Sequence, residues 1–194
     1  MRRFLSNSQV RQLLSAVDLD SPFGRRDYLL ILFIYHTGLR VGECSRLLVQ
    51  LVSNNSKEPR HHLDLPAIIC KGPRGRVVPL NATARACVSK MISFNQARGL
   101  ATTPDSPLFQ NRKHRALSVR SIQKLIKGYR IRAGLDIAAT PHTLRHTNAT
   151  ALQESGVPIR VIQQGLGHRR LSTTEKYLGV SPKSMKSSYE ALGG

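Results

Sequence analysis

The first part of the chain combines an amphipathic segment with a wholly apolar one. Ser6 and Gln9 have the spacing of a capping box, and apolar residues then recur at helical spacing through Val17. After a break that contains proline and glycine, the run Tyr28–Tyr35 is apolar on nearly every face, which is typical of a buried helix. The pattern therefore predicts a surface helix followed by a central core helix over Arg25–His36.

The remaining pattern predicts further helices and one hairpin. Gly38 ends the core helix, and a helical pattern restarts over Val41–Val52. Short apolar runs at Ala67–Cys70 and Arg76–Leu80 flank a tight, basic turn, so we expect a β-hairpin there. Segments bounded by capping residues, glycine or proline predict helices over Ala82–Arg98, Val119–Ala133, Pro141–Ser155, Pro158–Leu166 and Ser181–Leu192. We expect one mainly helical domain over residues 1–194, with a small antiparallel sheet.

The charge narrows the class of partner. Thirty Lys and Arg residues against eleven Asp and Glu residues give a formal net charge of +19 in 194 residues. Such an excess attracts polyanions, of which nucleic acid is the commonest for a basic domain. A membrane partner is disfavoured because Tyr28–Tyr35 is far shorter than the about 20 residues that span a bilayer. The amino terminus also lacks the apolar region of a secretory signal, so we expect a cytoplasmic protein.

Three cysteines offer neither a disulfide framework nor a zinc site. Cys44, Cys70 and Cys87 are odd in number and lack the CxxC spacing. We interpret them as small buried or half-buried thiols. His142 and His146 have the i, i+4 spacing of a zinc-binding HExxH motif, but Thr143 replaces the glutamate and Arg145 would place a cation beside the metal. We therefore predict no metal site.

Four polar islands carry the candidate chemistry. They are Thr37–Glu43, the hairpin residue Lys71, Pro141–Thr147, and Gly165–His168 followed nine residues later by Tyr177. An arginine at a helix start, such as Arg40, adds guanidinium donors to exposed backbone N–H groups and so favours an oxyanion. His142 and Arg145, three residues apart, share one helix face, where both can converge on one anion.

Together these segments resemble the catalytic signature of the tyrosine recombinases, also called the phage integrase family. In chain order they are TGLRVGE, a hairpin lysine, PHTLRHTNAT, and LGH followed by Tyr. The resemblance covers about residues 4–180, and six motif positions occur in the family's order. It implies the DNA breaking and rejoining fold of that catalytic domain. It also implies site-specific strand cleavage and rejoining through a 3′-phosphotyrosyl intermediate, with no metal or nucleotide cofactor.

The same resemblance assigns a role to each matched position. Arg40 and Arg145 would bind the scissile phosphate, and Glu43 would support Arg40. Lys71 would be the general acid, although Arg74 and Arg76 in the same hairpin leave open which basic side chain enters the site. His142 and His168 would be the histidine partners, and Tyr177 would be the nucleophile. Tyr189 is the poorer nucleophile candidate because it lies twenty-one residues after His168.

Further DNA contacts follow from the surplus charge. Arg120, Lys124 and Lys127 share one face of a predicted helix, apart from its buried stripe. That face can bind successive phosphates of DNA, and so can Arg74 and Arg76 of the hairpin. The alternative is that these residues form only a solvated face. The stretch 111–115 is a second basic segment with the same two interpretations.

The chain departs from the family in its amino-terminal part. Only five residues precede the first capping box, so either it is a fragment or it resembles minimal recombinases without a core-binding domain. The resemblance implies double-stranded DNA as partner and a tetramer on synapsed DNA, with an accessory DNA-bending protein as a further candidate. Residues 181–194 would dock on a neighbouring protomer or pack within the chain. The competing functions are a type IB topoisomerase and a non-catalytic DNA-binding regulator.

Overall fold

A computed structural model describes residues 4–70 and 74–167 of the 194-residue chain. Within these ranges the elements follow one another as α1 (Asn7–Ser15), α2 (Gly24–Thr37), α3 (Val41–Ser45), α4 (Val49–Val52), β1 (His62–Leu65), β2 (Arg76–Pro79), α5 (Ala82–Ala97), α6 (Val119–Arg132), α7 (Pro141–Glu154) and α8 (Ile159–Leu166). The predicted fold class, mainly helical with a small antiparallel sheet, is confirmed. None of the helices in the described ranges is long and apolar enough to cross a membrane.

Local capping explains where several helices begin. Ser6 accepts a hydrogen bond from the N–H of Gln9, and the Gln9 side chain accepts one from the N–H of Ser6, which is the predicted capping box. Asn81, Ser118 and Thr140 likewise accept from the third residue of α5, α6 and α7. These side chains satisfy N–H groups that have no partner inside the helix.

The core is built around α2. Leu30, Ile31, Phe33 and Ile34 of this helix are fully buried, as the continuous apolar run predicted. The helix packs between α5 and α7, and α1 and α6 complete the surrounding layer. Because α2 passes through the centre of the molecule, its carboxyl-terminal end at Gly38 has a fixed position relative to α7 and α8.

The prediction of a single helix over Val41–Val52 is wrong, because the segment forms two helices, α3 and α4, with a break between them. A distant segment supplies the reason. The N–H of Val49 donates to the carbonyl of Ser106, and the N–H of Leu108 donates to the carbonyl of Leu47. These long-range bonds use backbone groups that a continuous helix would need for itself.

The first predicted hairpin strand is also displaced. The strand that pairs with β2 is β1, in antiparallel register with Leu63 opposite Val78 and Leu65 opposite Arg76. Residues 67–70 instead form a turn. Pro66 has no N–H for a ladder, and its carbonyl accepts from the N–H groups of Ile69 and Cys70. The true strand therefore lies before Pro66, at His62–Leu65, and not at Ala67–Cys70.

The three cysteines are free thiols, as predicted. Cys44 and Cys87 are buried and Cys70 is half-buried. Burial raises the pKa of Cys44, and it raises the pKa of Cys87 to about 11. Both buried thiols are therefore protonated and unreactive at neutral pH.

Candidate active site

Arg40 lies immediately before α3, at the position predicted from the sequence. Its backbone N–H donates to Glu43 Oε2 at 2.7 Å, and its Nη1 donates to Glu43 Oε1 at 3.1 Å. Its Nη2 donates to the carbonyl of Gly167 at 2.9 Å. The expected pairing of Glu43 with Arg40 is therefore present, and the guanidinium is held at both ends while the side chain stays 31% exposed.

Arg145 approaches the same place from the first half of α7 and is almost fully buried. Its Nη1 donates to the carbonyl of Gly38 at 2.6 Å, and its Nη2 donates to the carbonyl of Leu166. Gly38 has a left-handed φ of 61°, and a Cβ there would lie 2.6 Å from Asn148 Oδ1. A residue other than glycine would displace the turn whose carbonyl orients Arg145.

The structure corrects the expectation that Arg76 contacts DNA. Its side chain is 8% exposed, and its two Nη atoms donate to the two carboxylate oxygens of Glu43 at 2.6 and 2.7 Å. Its Nε donates to the carbonyl of Gly165 at 2.9 Å. All three nitrogens of the guanidinium donate to protein acceptors, because Arg76 and the buried Val78 share the inner face of β2. Arg76 therefore supports Glu43 from inside the fold.

Three arginines converge on the end of α8. The carbonyls of Gly165, Leu166 and Gly167 accept from Arg76, Arg145 and Arg40 respectively. The last carbonyls of a helix have no partner within it, and they form the negative end of the helix dipole. Guanidinium groups from β2, α7 and the start of α3 therefore meet at one helix terminus, which fixes their separation before any anion arrives.

Glu43 supplies the negative charge that this group of cations requires. Burial by itself raises the pKa of Glu43, but hydrogen bonds and charges from Arg76 and then Arg40 outweigh it, so the pKa falls below its ordinary value. The same pairing raises the pKa of Arg76 against the effect of burial. One carboxylate thus serves two arginines, while Arg145 donates to the carbonyls of Gly38 and Leu166.

His142 lies in the first turn of α7, three residues before Arg145, and is exposed. Its Nε2 lies 2.7 Å from Nε2 of His146, so the two rings share a hydrogen bond in an edge-to-face arrangement. Burial of part of the ring, then the charges of Arg145 and Arg40, lower the pKa of His142. The ring is therefore neutral at pH 7 and able to accept a proton.

The other predicted positions fall into two groups. Lys71, His168 and Tyr177 lie outside the described residues, as does the tail over 181–194. The remaining predicted DNA contacts are exposed, and they are Arg74, Arg120, Lys124 and Lys127. Lys127 and His142 line one surface cavity, between α6 and the start of α7. The basic face of α6 thus lies beside the candidate site.

Sequence reasoning missed the internal role of Arg76, although a signal was present. In a strand, residues two apart point to the same side, and Val78 is an ordinary core residue. That periodicity places Arg76 on the buried face, where an arginine requires a carboxylate partner. Asn148, whose Nδ2 donates to the carbonyl of Tyr35 at 2.8 Å, was not singled out either.

Comparisons with known proteins identify the family of the chain. The model of the phage integrase family matches residues 3–184. The tyrosine recombinase XerD of Listeria monocytogenes serotype 4b (strain F2365) is 34% identical over 191 residues, which cover 97% of this chain and 61% of that protein. The chain therefore belongs to the phage integrase family.

Solved structures share the fold. The crystal structure of XerA recombinase superimposes with a TM-score of 0.76 and 26% identity, covering 99% of this chain and 64% of that one. The XerH site-specific recombinase bound to palindromic difH substrate, a post-cleavage complex, has a TM-score of 0.76 at 23% identity, covering 98% and 53%. The chain spans less than two thirds of the length of these relatives.

Proposed function

We propose that this protein is a site-specific DNA recombinase that cleaves and rejoins strands through a 3′-phosphotyrosyl intermediate. One observation carries the proposal. The guanidiniums of Arg40 and Arg145 are fixed on the neighbouring carbonyls of Gly167 and Leu166, with His142 one turn from Arg145. Membership of the phage integrase family and the likeness to XerD support it.

The chemistry explains why two arginines suit this reaction. A phosphodiester carries negative charge, and attack on phosphorus places more charge on its nonbridging oxygens. Donors that already point at that position stabilise the transition state without rearranging during the reaction. Arg40 and Arg145 suit this role because protein carbonyls and Glu43 hold both guanidiniums in place before DNA binds.

Two proton transfers complete the proposed step. The Tyr177 hydroxyl attacks phosphorus and its proton passes to His142, while the bond from phosphorus to the 5′-oxygen breaks and Lys71 protonates that oxygen. His168 would be the second histidine at the phosphate. Rejoining is the reverse attack by a 5′-hydroxyl, so the energy of the phosphodiester is kept in the intermediate. The lowered pKa of His142 suits a base at neutral pH.

The proposed setting follows from the same function. The substrate is double-stranded DNA in the cytoplasm, and the exposed residues Arg120, Lys124 and Lys127 bind its phosphates. Residues 1–194 act as one catalytic domain, and recombination takes place in a tetramer on synapsed DNA. The segment 181–194 docks on a neighbouring protomer, and an accessory DNA-bending protein assists synapsis.

Covalent trapping tests the proposal. The wild-type chain is incubated with a library of nicked duplexes. Cleavage next to a nick releases the short fragment that carries the 5′-hydroxyl, so the strand cannot be rejoined. Protein linked to DNA is recovered after denaturation, and the attached DNA is sequenced. We expect adducts with the wild type and with the matched control Tyr189→Phe, but none with Tyr177→Phe.

Each other outcome has a definite meaning. Adducts that persist in Tyr177→Phe would show that another residue is the nucleophile. If the wild type binds duplex DNA but forms no adduct with any member of the library, the proposed catalysis is wrong for this chain and a DNA-binding regulator is favoured.

A further inference from the structure

A second group of arginines surrounds Phe23, the residue that precedes α2. The guanidinium carbons of Arg26, Arg98 and Arg112 lie 4.4, 4.7 and 5.6 Å from the centre of the Phe23 ring. We call these four residues the Phe23 cluster. The negative face of an aromatic ring attracts cations, so the ring holds the three guanidiniums close to one another.

The positive charge of the cluster is mostly unbalanced. Arg26 is paired with Asp27, with Nη2 and Oδ1 2.6 Å apart. Arg98 and Arg112 are exposed, and no carboxylate of the described ranges lies within 4.0 Å of either guanidinium. Like charges brought together without a counter-charge create a strongly positive local potential, which an anion would relieve.

The surface at the cluster is concave and suited to a phosphate. It is lined by Pro22, Phe23, Arg98, Leu100, Arg112 and His114. The planar guanidinium fork matches two oxygens of a phosphate, which a compact ammonium group does not. His114 adds a further hydrogen-bond donor at the rim.

Basic residues connect the cluster with the candidate active site. Lys127 shares a cavity with His142, and Lys124 shares another with Arg26 on the opposite side of α6. Arg26 then stacks on Phe23. The exposed residues Lys124 and Lys127 of α6 thus lie between the cluster and the candidate active site, while Arg26 is buried and paired with Asp27.

The length of α2 sets the distance between the cluster and the candidate active site. Phe23 precedes the helix and Gly38, whose carbonyl binds Arg145, follows it. The 14 residues between them span about 21 Å at about 1.5 Å per residue. For a duplex that runs parallel to α2, that distance corresponds to about six base pairs at about 3.4 Å each.

We propose that the Phe23 cluster binds the phosphate backbone of the duplex that flanks the cleavage position, about six base pairs from the scissile phosphate. Arg98 and Arg112 bind the phosphates, and Phe23 and Arg26 fix their positions. The contact carries no sequence information and adds affinity for the DNA arm. This inference rests on the proposed function, because it takes DNA as the substrate.

The first test measures salt-dependent binding. A fluorescein-labelled 30-base-pair duplex of mixed sequence is titrated with wild type, with Arg98→Gln/Arg112→Gln and with the matched control Lys57→Gln/Lys90→Gln, which removes two exposed charges elsewhere. We expect the cluster variant to bind at least tenfold more weakly, with the slope of log affinity against log salt reduced by about two. The control should keep most of both values.

A charge-conserving variant excludes a folding defect as the cause. Arg98→Lys/Arg112→Lys should recover part of the affinity, and all variants should unfold at the same urea midpoint as the wild type. If the cluster variant and the control change affinity and salt slope equally, the proposed site is wrong and the charge acts only at long range.

The second test gives the position of the contact. Hydroxyl-radical footprinting of the Tyr177-linked adduct should show protection about six base pairs from the linked phosphate, and this protection should be absent in Arg98→Gln/Arg112→Gln. Protection that remains in the variant would overturn the assignment. If no adduct forms although the salt slope changes as expected, the proposed catalysis fails and the binding site stands.

Discussion

Two buried carboxylates, Glu43 and Asp27, each lie beside arginine, and their pKa values shift in opposite directions. Glu43 is 1% exposed and accepts hydrogen bonds from Arg76, from the Arg40 side chain and from the Arg40 backbone. Asp27 is 8% exposed and accepts from Arg26 and from the Tyr129 hydroxyl. Both carboxylates are satisfied, but the first faces two cations and the second faces one.

The balance between burial and neighbours explains the difference. Burial raises the pKa of Asp27, and Arg26 and Tyr129 do not compensate for it. At Glu43 burial acts in the same direction, but Arg76 and Arg40 together outweigh it and lower the pKa. The second arginine is therefore what lowers the pKa of the carboxyl at the site, whereas the carboxyl beneath α6, with one arginine, has a raised pKa.

The largest effect is expected for Glu43→Gln. This change keeps the size of the side chain but leaves the buried guanidinium of Arg76 without its counter-charge, which typically costs about 3 to 5 kcal/mol when one partner of a buried pair is removed. We expect the free energy of unfolding to fall by at least about 3 kcal/mol, measured by urea denaturation. Phosphotyrosyl adduct formation should fall with it, because Arg40 loses the same support.

Asp27→Asn is the matched control for that comparison. This change also leaves the buried guanidinium of Arg26 without its carboxylate, but Arg26 keeps the carbonyl of Gln110 and the face of Phe23, and an amide oxygen can still accept from Tyr129. We therefore expect a smaller loss than for Glu43→Gln, of about 1 to 3 kcal/mol. Equal losses in the two variants would mean that the number of arginines around a carboxylate does not govern its contribution.

A smaller effect is expected for Arg76→Lys. The ammonium group keeps the charge beside Glu43, but it cannot bind both carboxylate oxygens and the carbonyl of Gly165 at the same time. We expect a loss of about 2 kcal/mol by urea denaturation. The exposed neighbour changed in the same way, Arg74→Lys, should stay within about 0.5 kcal/mol of the wild type. An Arg76→Lys protein as stable as the wild type would show that charge alone suffices there.

The smallest effect concerns the dependence of stability on pH. The folded-state pKa of Glu43 lies below its ordinary value of 4.5, so its contribution is present above that pH and is lost as pH falls through the folded-state pKa. Asp27 has the opposite sign: its contribution is present below its ordinary value of 3.8 and is lost as pH rises through its raised folded-state pKa. We expect urea midpoints to fall less steeply with acid in Glu43→Gln and more steeply in Asp27→Asn than in the wild type. The same slope in both variants would contradict the opposite shifts.

Much of the fold was predictable because it depends on local chemistry. The capping residues Ser6, Ser118 and Thr140 start their helices, and Gly38 ends α2, through bonds that span only a few residues. The errors occur where distant segments decide. The break before Val49 depends on the carbonyl of Ser106, and no local pattern carries that information.

In the candidate site too, residues in recognisable motifs were predictable, and residues whose partners are distant in sequence were not. Motif order identified Arg40, Glu43, His142 and Arg145, and the structure brings them together. Arg76 was assigned to the surface because its partners, Glu43 and the carbonyl of Gly165, are far away in sequence. The Phe23 cluster was missed for the same reason, since residues from three separate segments meet at one ring.

The order in which the ribosome makes the chain determines when the end of α8 can bind its arginines. The carbonyls of Leu166 and Gly167 bind side chains that lie 21 and 127 positions earlier in the chain. A ribosome makes the whole of α2, α3 and α7 before these acceptors exist, so an incomplete chain holds the arginines without the groups that orient them. Arg40 and Arg145 thus gain these contacts only after Gly167 has been made.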